Sequence, residues 1–214
     1  MTKTYEARYV PGAEINLDGI INELAWEQAN LETGFAFPWE NRPVPRTEFR
    51  ALFDDWALYF AFRADDDDVV LAEDYQGKED VVREDRVELF FALDDELANY
   101  YCLEIDPLGR VLDYHANYYR RFDRSWACPG LDVTGRRTEE GYRVEGLIPL
   151  RSLQLLGFPA LDSGRPIKFG IYRAEFSHTE GSGWSESWIS WVDPQTAEPD
   201  FHVPASFGRL VMRR

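Results

Sequence analysis

Cysteine, methionine and histidine are scarce: the 214 residues hold two cysteines, two methionines and three histidines. Cys102 and Cys128 share no repeated spacing, so they form neither a disulfide framework nor a metal knuckle and read as free thiols. A methionine-ligated haem would have to use a chain end, since the methionines are Met1 and Met212. His115, His178 and His202 lie too far apart for a local zinc motif. No apolar run approaches the roughly 20 residues of a membrane-spanning helix. The opening MTKTYEARYV lacks the apolar core of a secretory signal, so the chain reads as cytoplasmic unless a signal peptide has been removed. Basic side chains are the minority, 23 against 39 acidic, for a net charge of −16 spread along the chain. Such a surface repels phosphate backbones and anionic lipid, which argues against nucleic acid and membrane as partners and leaves neutral or cationic ligands open. Neither a phosphate-cradling glycine loop nor a nucleophile elbow is present.

What is abundant is apolar and aromatic: 44% of residues are hydrophobic and 15% aromatic, enough for a packed core, and one domain spanning 1–214 is expected. From Thr47 onward the dominant period is two. Phe49, Ala51 and Phe53, then Leu58, Phe60 and Phe62 after Asp54-Asp55-Trp56, read as a hairpin. Val87, Leu89 and Phe91 with Tyr101, Leu103 and Ile105 read as a second strand pair. Asp106-Pro107-Leu108-Gly109 then turns the chain into Val111–Tyr118. Leu131–Arg137, Tyr142–Ile148, Ile167–Tyr172 and Phe207–Met212 continue the pattern. The expected fold is all-β, two antiparallel sheets packed as an immunoglobulin-like or jelly-roll sandwich. One short N-terminal helix is expected over Asn22–Asn30, capped by Asn22, and Leu150–Leu156 reads as one further helical turn.

Seven tryptophans are the most informative residues, because an indole serves both as core filler and as a platform for the C–H face of a sugar. Trp26 lies on the apolar side of the expected helix and reads as core. Trp188 and Trp191 sit in an apolar strand-like stretch and read as partly buried. Trp39, Trp126 and Trp184 stand among polar, Pro and Gly residues as loop candidates for contact, while Trp56 caps a hairpin tip. Glu88 and Glu104 share the non-core phase of neighbouring strands. They could face each other as a glycosidase pair, although a solvated sheet face is the stronger reading, being the expected pattern of an antiparallel sandwich. Asp65–Asp68 offers oxygen ligands for Ca²⁺ but lacks the glycine and distal glutamate of an EF-hand, and a solvated acidic turn is the simpler reading. His202 stands out because Asp200-Phe201-His202-Val203-Pro204 joins an aromatic and an imidazole in one loop.

Several segments, in order, are similar to the family 9 carbohydrate-binding modules: Ile15–Gly19 with Glu23 and Trp26, Thr47–Phe53 with Leu58-Tyr59-Phe60, Asp85–Phe90, Gly141–Glu145 with Ile148-Pro149, Ile189-Ser190-Trp191 and Phe207–Leu210. The resemblance implies a β-sandwich that binds a sugar terminus without catalysis, serves carbohydrate catabolism, accompanies glycan-degrading enzymes, needs no cofactor and leaves room for structural Ca²⁺. Its two platform tryptophans would fall at Val82 and Phe201, so the first is missing and the second is a smaller ring. Glu88 keeps the family's sugar-contacting carboxylate, and Glu104 stands where a basic residue is expected. A site rebuilt from Trp39, Trp184, Phe201 and His202, with Glu88, Glu104 and Arg173 as polar partners, is the expectation. Arg173 shares the phase of Ile167, Phe169 and Ile171 and so needs a buried acid, for which Glu88 or Glu104 is a candidate. The competing readings are an interaction or sensor domain that lost glycan binding, and a glycoside hydrolase using Glu88 and Glu104.

Overall fold

A computed structural model describes residues 2–159, 164–181 and 183–214. Its strands are β1 (Thr4–Tyr9), β2 (Asn30–Glu32), β3 (Thr47–Phe53), β4 (Ala57–Asp65), β5 (Arg86–Ala92), β6 (Tyr100–Ile105) and β7 (Val111–Asn117), followed by β8 (Arg121–Asp123), β9 (Asp132–Thr138), β10 (Gly141–Pro149), β11 (Ile167–His178), β12 (Trp184–Ser190) and β13 (Gly208–Arg213). They hydrogen-bond in the order β8-β7-β6-β5-β11-β13-β1-β3-β4-β10-β9, with β12 beside β11 and β2 beside β3. The expected all-β character holds. The helical turn after Pro149 is α1 (Leu150–Leu155).

Local chemistry sets the connections. In the β3–β4 turn Asp54 accepts the backbone N–H groups of Trp56 and Ala57 at 2.8 and 2.9 Å. In the β6–β7 turn Asp106 accepts those of Leu108 and Arg110 at 2.9 and 2.8 Å, while Gly109 takes a φ of 80° that a side chain would resist. The strand path curls, because one core joins its two halves: Phe49, Phe60 and Phe62 of β3 and β4 pack in the same cluster as Leu89, Phe91 and Leu103 of β5 and β6. A second cluster covers the other face of β5, β6 and β11 through Phe90, Tyr114, Tyr172, Phe201 and Phe207. A third covers the other face of β3 and β4 with Leu52, Tyr59 and Trp26. Every residue of β5 is consequently buried.

Two expectations are corrected. The segment read as a helix over Asn22–Asn30 is a 3₁₀ turn, Leu24–Gln28. Ile21 holds a φ of 58°, outside the right-handed helical region, and Asn30 already belongs to β2, so too few residues remain for an α-helix. Ala25 and Trp26 are buried as expected, but Leu24 is 76% exposed. The sheet is also not antiparallel throughout, since β1 runs parallel to both β13 and β3. Cys102 and Cys128 are free thiols, the first buried.

Candidate functional site

On β5 and β6, Glu88 and Glu104 stand directly opposite each other in register. Both project into the aromatic layer of the second cluster, and neither is solvated: Glu88 is 2% and Glu104 5% exposed. This corrects the solvated-face reading, and its reason is the layer of loops and rings laid over these strands. Arg86, two residues before Glu88 and on the same face, fills the space between them. Its Nε lies 2.9 Å from Glu88 Oε1 and 2.8 Å from Glu104 Oε2. Neither contact is aligned as a hydrogen bond, so Arg86 Nε, Glu88 Oε1 and Glu104 Oε2 meet as charge contacts. The Arg86 Nη1 donates to the carbonyls of Val82 and Glu84, both at 3.2 Å, and Tyr114 donates to Glu104 Oε1 at 2.7 Å.

Burial, reinforced by the Glu104 charge, raises the pKa of Glu88 against the pull of Arg86. Burial works against the charge on Arg86, but Glu104 and Glu88 outweigh it and hold the guanidinium cationic. The cleft above this network has a volume of about 310 Å³. Trp188 of β12 and Phe122 of β8 form walls, and Asp200, Phe201 and His202 close one end. Phe201 stacks on Tyr172 at 4.2 Å with a 15° interplanar angle, and Trp188 meets its ring edge-on at 5.8 Å. The His202 Nδ1 lies 3.1 Å from the Tyr100 hydroxyl, and its ring packs 5.0 Å from Phe122. Burial, followed by the Arg120 charge, pushes the imidazole down to about 3, so it is neutral and acts as a polar aromatic. Asp200 accepts from the His202 N–H at 2.8 Å, the Tyr119 hydroxyl at 2.6 Å and Arg120 at 3.2 Å, which anchors the loop.

Of the residues expected at the site, Glu88, Glu104, Phe201 and His202 come together in the cleft. Trp39 stands behind it, 5.9 Å from the Phe201 ring, and its indole N–H donates to the Thr196 carbonyl at 2.9 Å. Trp184 lies farther along β12 opposite His178, exposed and outside the cleft lining. Arg173 does not pair with Glu88 or Glu104. Its guanidinium touches Asp66 and Glu175 and donates to the Asp65 carbonyl at 3.0 Å, because its side chain points to the opposite face of β11 from Tyr172, which stands opposite Glu88. Arg86 fills the role expected of Arg173. The alternation pattern carried that signal, since Arg86 and Glu88 share one phase. Trp188, Phe122 and Tyr114 were not singled out as contacts. Val82 does line the cleft, where it is a small apolar side chain.

The acidic run resolves into separate roles. Asp65 pairs with Arg63, Asp68 with His178, and Asp66 turns inward. Asp66, Asp85 and Glu175 bring carboxylate oxygens within 4.8 Å of one another, all three buried. Asp85 accepts the N–H groups of Val70 and Phe176 at 2.6 and 2.7 Å, whereas Asp66 Oδ2 and Glu175 Oε2 have no hydrogen-bond partner. Burial pushes Asp85 up to about 8 and Glu175 up to about 7. Arg173 supplies one positive charge to three crowded carboxyls, and with Asp85 and Glu175 raised to neutrality or above the group would offer its oxygens to a hard divalent cation on losing its protons.

Comparison with known proteins gives three findings. Residues 17–214 match the family described as carbohydrate family 9 binding domain-like. A proposed carbohydrate-binding protein from Bacteroides uniformis ATCC 8492 superposes with a TM-score of 0.77 at 19% identity, over 100% of both chains. A family 9 carbohydrate-binding module from Caldicellulosiruptor kristjanssonii, solved with glucose and with cellotriose, superposes with TM-scores of 0.64 and 0.65 at 15% identity, over 99% of this chain and 96% and 94% of the other. No curated protein sequence matches.

Proposed function

The chain belongs to the carbohydrate family 9 binding domain-like family, and from that premise we propose that it is a non-catalytic module that binds a sugar terminus in the cleft over Glu88 and Glu104. The observation that carries this reading is the buried charge cluster of Arg86, Glu88 and Glu104 beneath an aromatic wall, a cluster whose mutual contacts are not aligned as hydrogen bonds. A sugar hydroxyl both donates and accepts, so hydroxyls on one ring can satisfy carboxylate oxygens and a guanidinium at once. The ring's C–H face packs on Trp188, which stands in for the platform missing at Val82. The Caldicellulosiruptor kristjanssonii module carries glucose and cellotriose, which makes a glucose-type terminus the first ligand to try. Hydrolysis has no support in the geometry, because Arg86 occupies the gap in which a glycosidase pair would hold its substrate.

Three finer readings go with this one. The curled sheet is a two-layer sandwich whose layers face each other across the main core. Asp66, Asp85 and Glu175 would hold a structural Ca²⁺, which supplies the positive charge that Arg173 alone does not. The module serves carbohydrate catabolism alongside glycan-degrading enzymes.

The test is intrinsic fluorescence during titration with glucose and cellotriose, each compared with its borohydride-reduced form, on the wild type, Trp188→Ala and Glu104→Gln. A saturable shift in the wild type that both variants weaken at least tenfold is expected, about 1.4 kcal/mol each. Undiminished binding in both variants, or no shift with any sugar of a wider panel, overturns the assignment.

A further inference from the structure

Trp56, at the β3–β4 turn, is 57% exposed, more than Trp184 at 47% and far more than the buried Trp26 and Trp191. Covering a corner of the core does not account for it, since its ring meets the core through Tyr59, 6.5 Å away between centroids, and more than half of the residue stays on the surface. Its backbone is pinned on both sides. The Trp56 N–H donates to Asp54 Oδ1 at 2.8 Å, and its carbonyl accepts from the Leu150 N–H at 2.8 Å. The ring is therefore presented from a fixed base.

A second cleft of about 300 Å³ opens beside this indole, and it shares no lining residue with the first. Asp55, Arg151, Gln154 and Arg214 edge it. Arg151 and Gln154 are one helical turn apart on α1, and among the described residues neither side chain has a hydrogen bond or ion pair. Asp55 is held in place by the Tyr9 hydroxyl at 2.8 Å and by Arg214 at 2.7 Å. An exposed indole ringed by a carboxylate, a guanidinium and an amide is the chemistry that a pyranose needs: a flat apolar face to stack on, and planar donors and acceptors for its hydroxyls.

We propose that Trp56 is the platform of a second carbohydrate-binding site, which takes one pyranose unit of a glycan with Asp55, Arg151 and Gln154 as hydroxyl partners. The site goes beyond the first and does not depend on it.

The experiment follows indole N–H signals by NMR on the full chain, titrated with glucose, cellotriose, xylotriose and galacturonic acid. The Trp56 signal is the one absent from Trp56→Ala, a variant that leaves the Trp56 backbone hydrogen bonds in place. The titration runs to about 50 mM, since an isolated single-ring site binds in the millimolar range. A saturable shift of the Trp56 signal with at least one sugar, retained in Trp188→Ala, is the expected result. A Trp56 signal that stays still with all four sugars overturns the second site. If the Trp188 signal moves in that same experiment, the first site stands without the second. If Trp56 alone moves, the second site stands and the first falls.

Discussion

Replacing Arg86 by methionine removes the cation that lies against both Glu88 and Glu104 and keeps an unbranched side chain in its place. The Arg86, Glu88 and Glu104 side chains are 6, 2 and 7% exposed, so water screens the network very little. Breaking a buried ion pair from one side costs roughly 3–5 kcal/mol, because the remaining charge is left uncompensated. In a domain of this size that lowers Tm by on the order of 10 °C. Urea unfolding followed by circular dichroism measures the loss directly. Glu88 has its pKa raised in the folded state, so the native protein holds a proton that the unfolded chain has released. Its contribution to stability therefore falls as pH rises from about 4.3 through the folded value, and loss of Arg86 steepens that fall. Arg86→Met is accordingly expected to cost more near pH 8 than near pH 5. Adding Glu88→Gln and Glu104→Gln to Arg86→Met restores most of the stability, since a neutral buried network carries no unpaired charge, but it does not restore sugar binding. A loss under about 1 kcal/mol at pH 8, or one of equal size at both pH values, refutes the argument.

His202 is held at about 3 by burial and, secondarily, by Arg120. Its folded value lies below the unfolded one near 6.5, so it subtracts stability as pH falls from about 6.5 toward 3. The imidazole C–H signals are expected to stay constant by NMR from neutral pH down to about 4.5, and a titration centred near 6.5 shows instead a solvated ring. Asp85 and Glu175 act in the opposite sense. Their folded values, about 8 and about 7, lie above those of the unfolded chain, so the metal-free protein loses stability as pH rises through neutrality. Calcium at millimolar concentration, added after EDTA treatment, is expected to raise Tm near pH 8 and flatten that slope. A Tm indifferent to Ca²⁺ at pH 8 removes the cation from Asp66, Asp85 and Glu175.

Much of the fold was readable where its causes are local. The β3–β4 hairpin and the Asp106–Gly109 turn depend on period-two alternation and on an aspartate that bonds the next few N–H groups, and both lie within a few residues of sequence. The short N-terminal element misleads because Leu24, Ala25 and Gln28 mimic a helical stripe, whereas nothing in the local sequence marks the positive φ at Ile21. The parallel pairing of β1 joins distant segments and leaves no local trace. At the site, the register of Glu88 against Glu104 followed from strand phase. Their burial did not, because phase tells which residues share a face and says nothing of what covers it. The pairing expected of Arg173 fails on phase itself, since Arg173 shares the core face with Ile171 whereas Glu88 and Glu104 lie on the other. Trp188 is half-buried, as its apolar strand-like stretch suggests, and the exposed part lets it serve as a wall.

The parallel ladder of β1 aligns Thr4 with Arg209 and Arg8 with Arg213, so the strand made first is clasped between β3 and the strand made last. On the ribosome β1 emerges long before β13 exists. During that interval the edges of β1 and β11 that β13 will bridge stay open. The curl can close only once β13 has emerged, which makes the fold a late one whose sheet edges need shielding during synthesis.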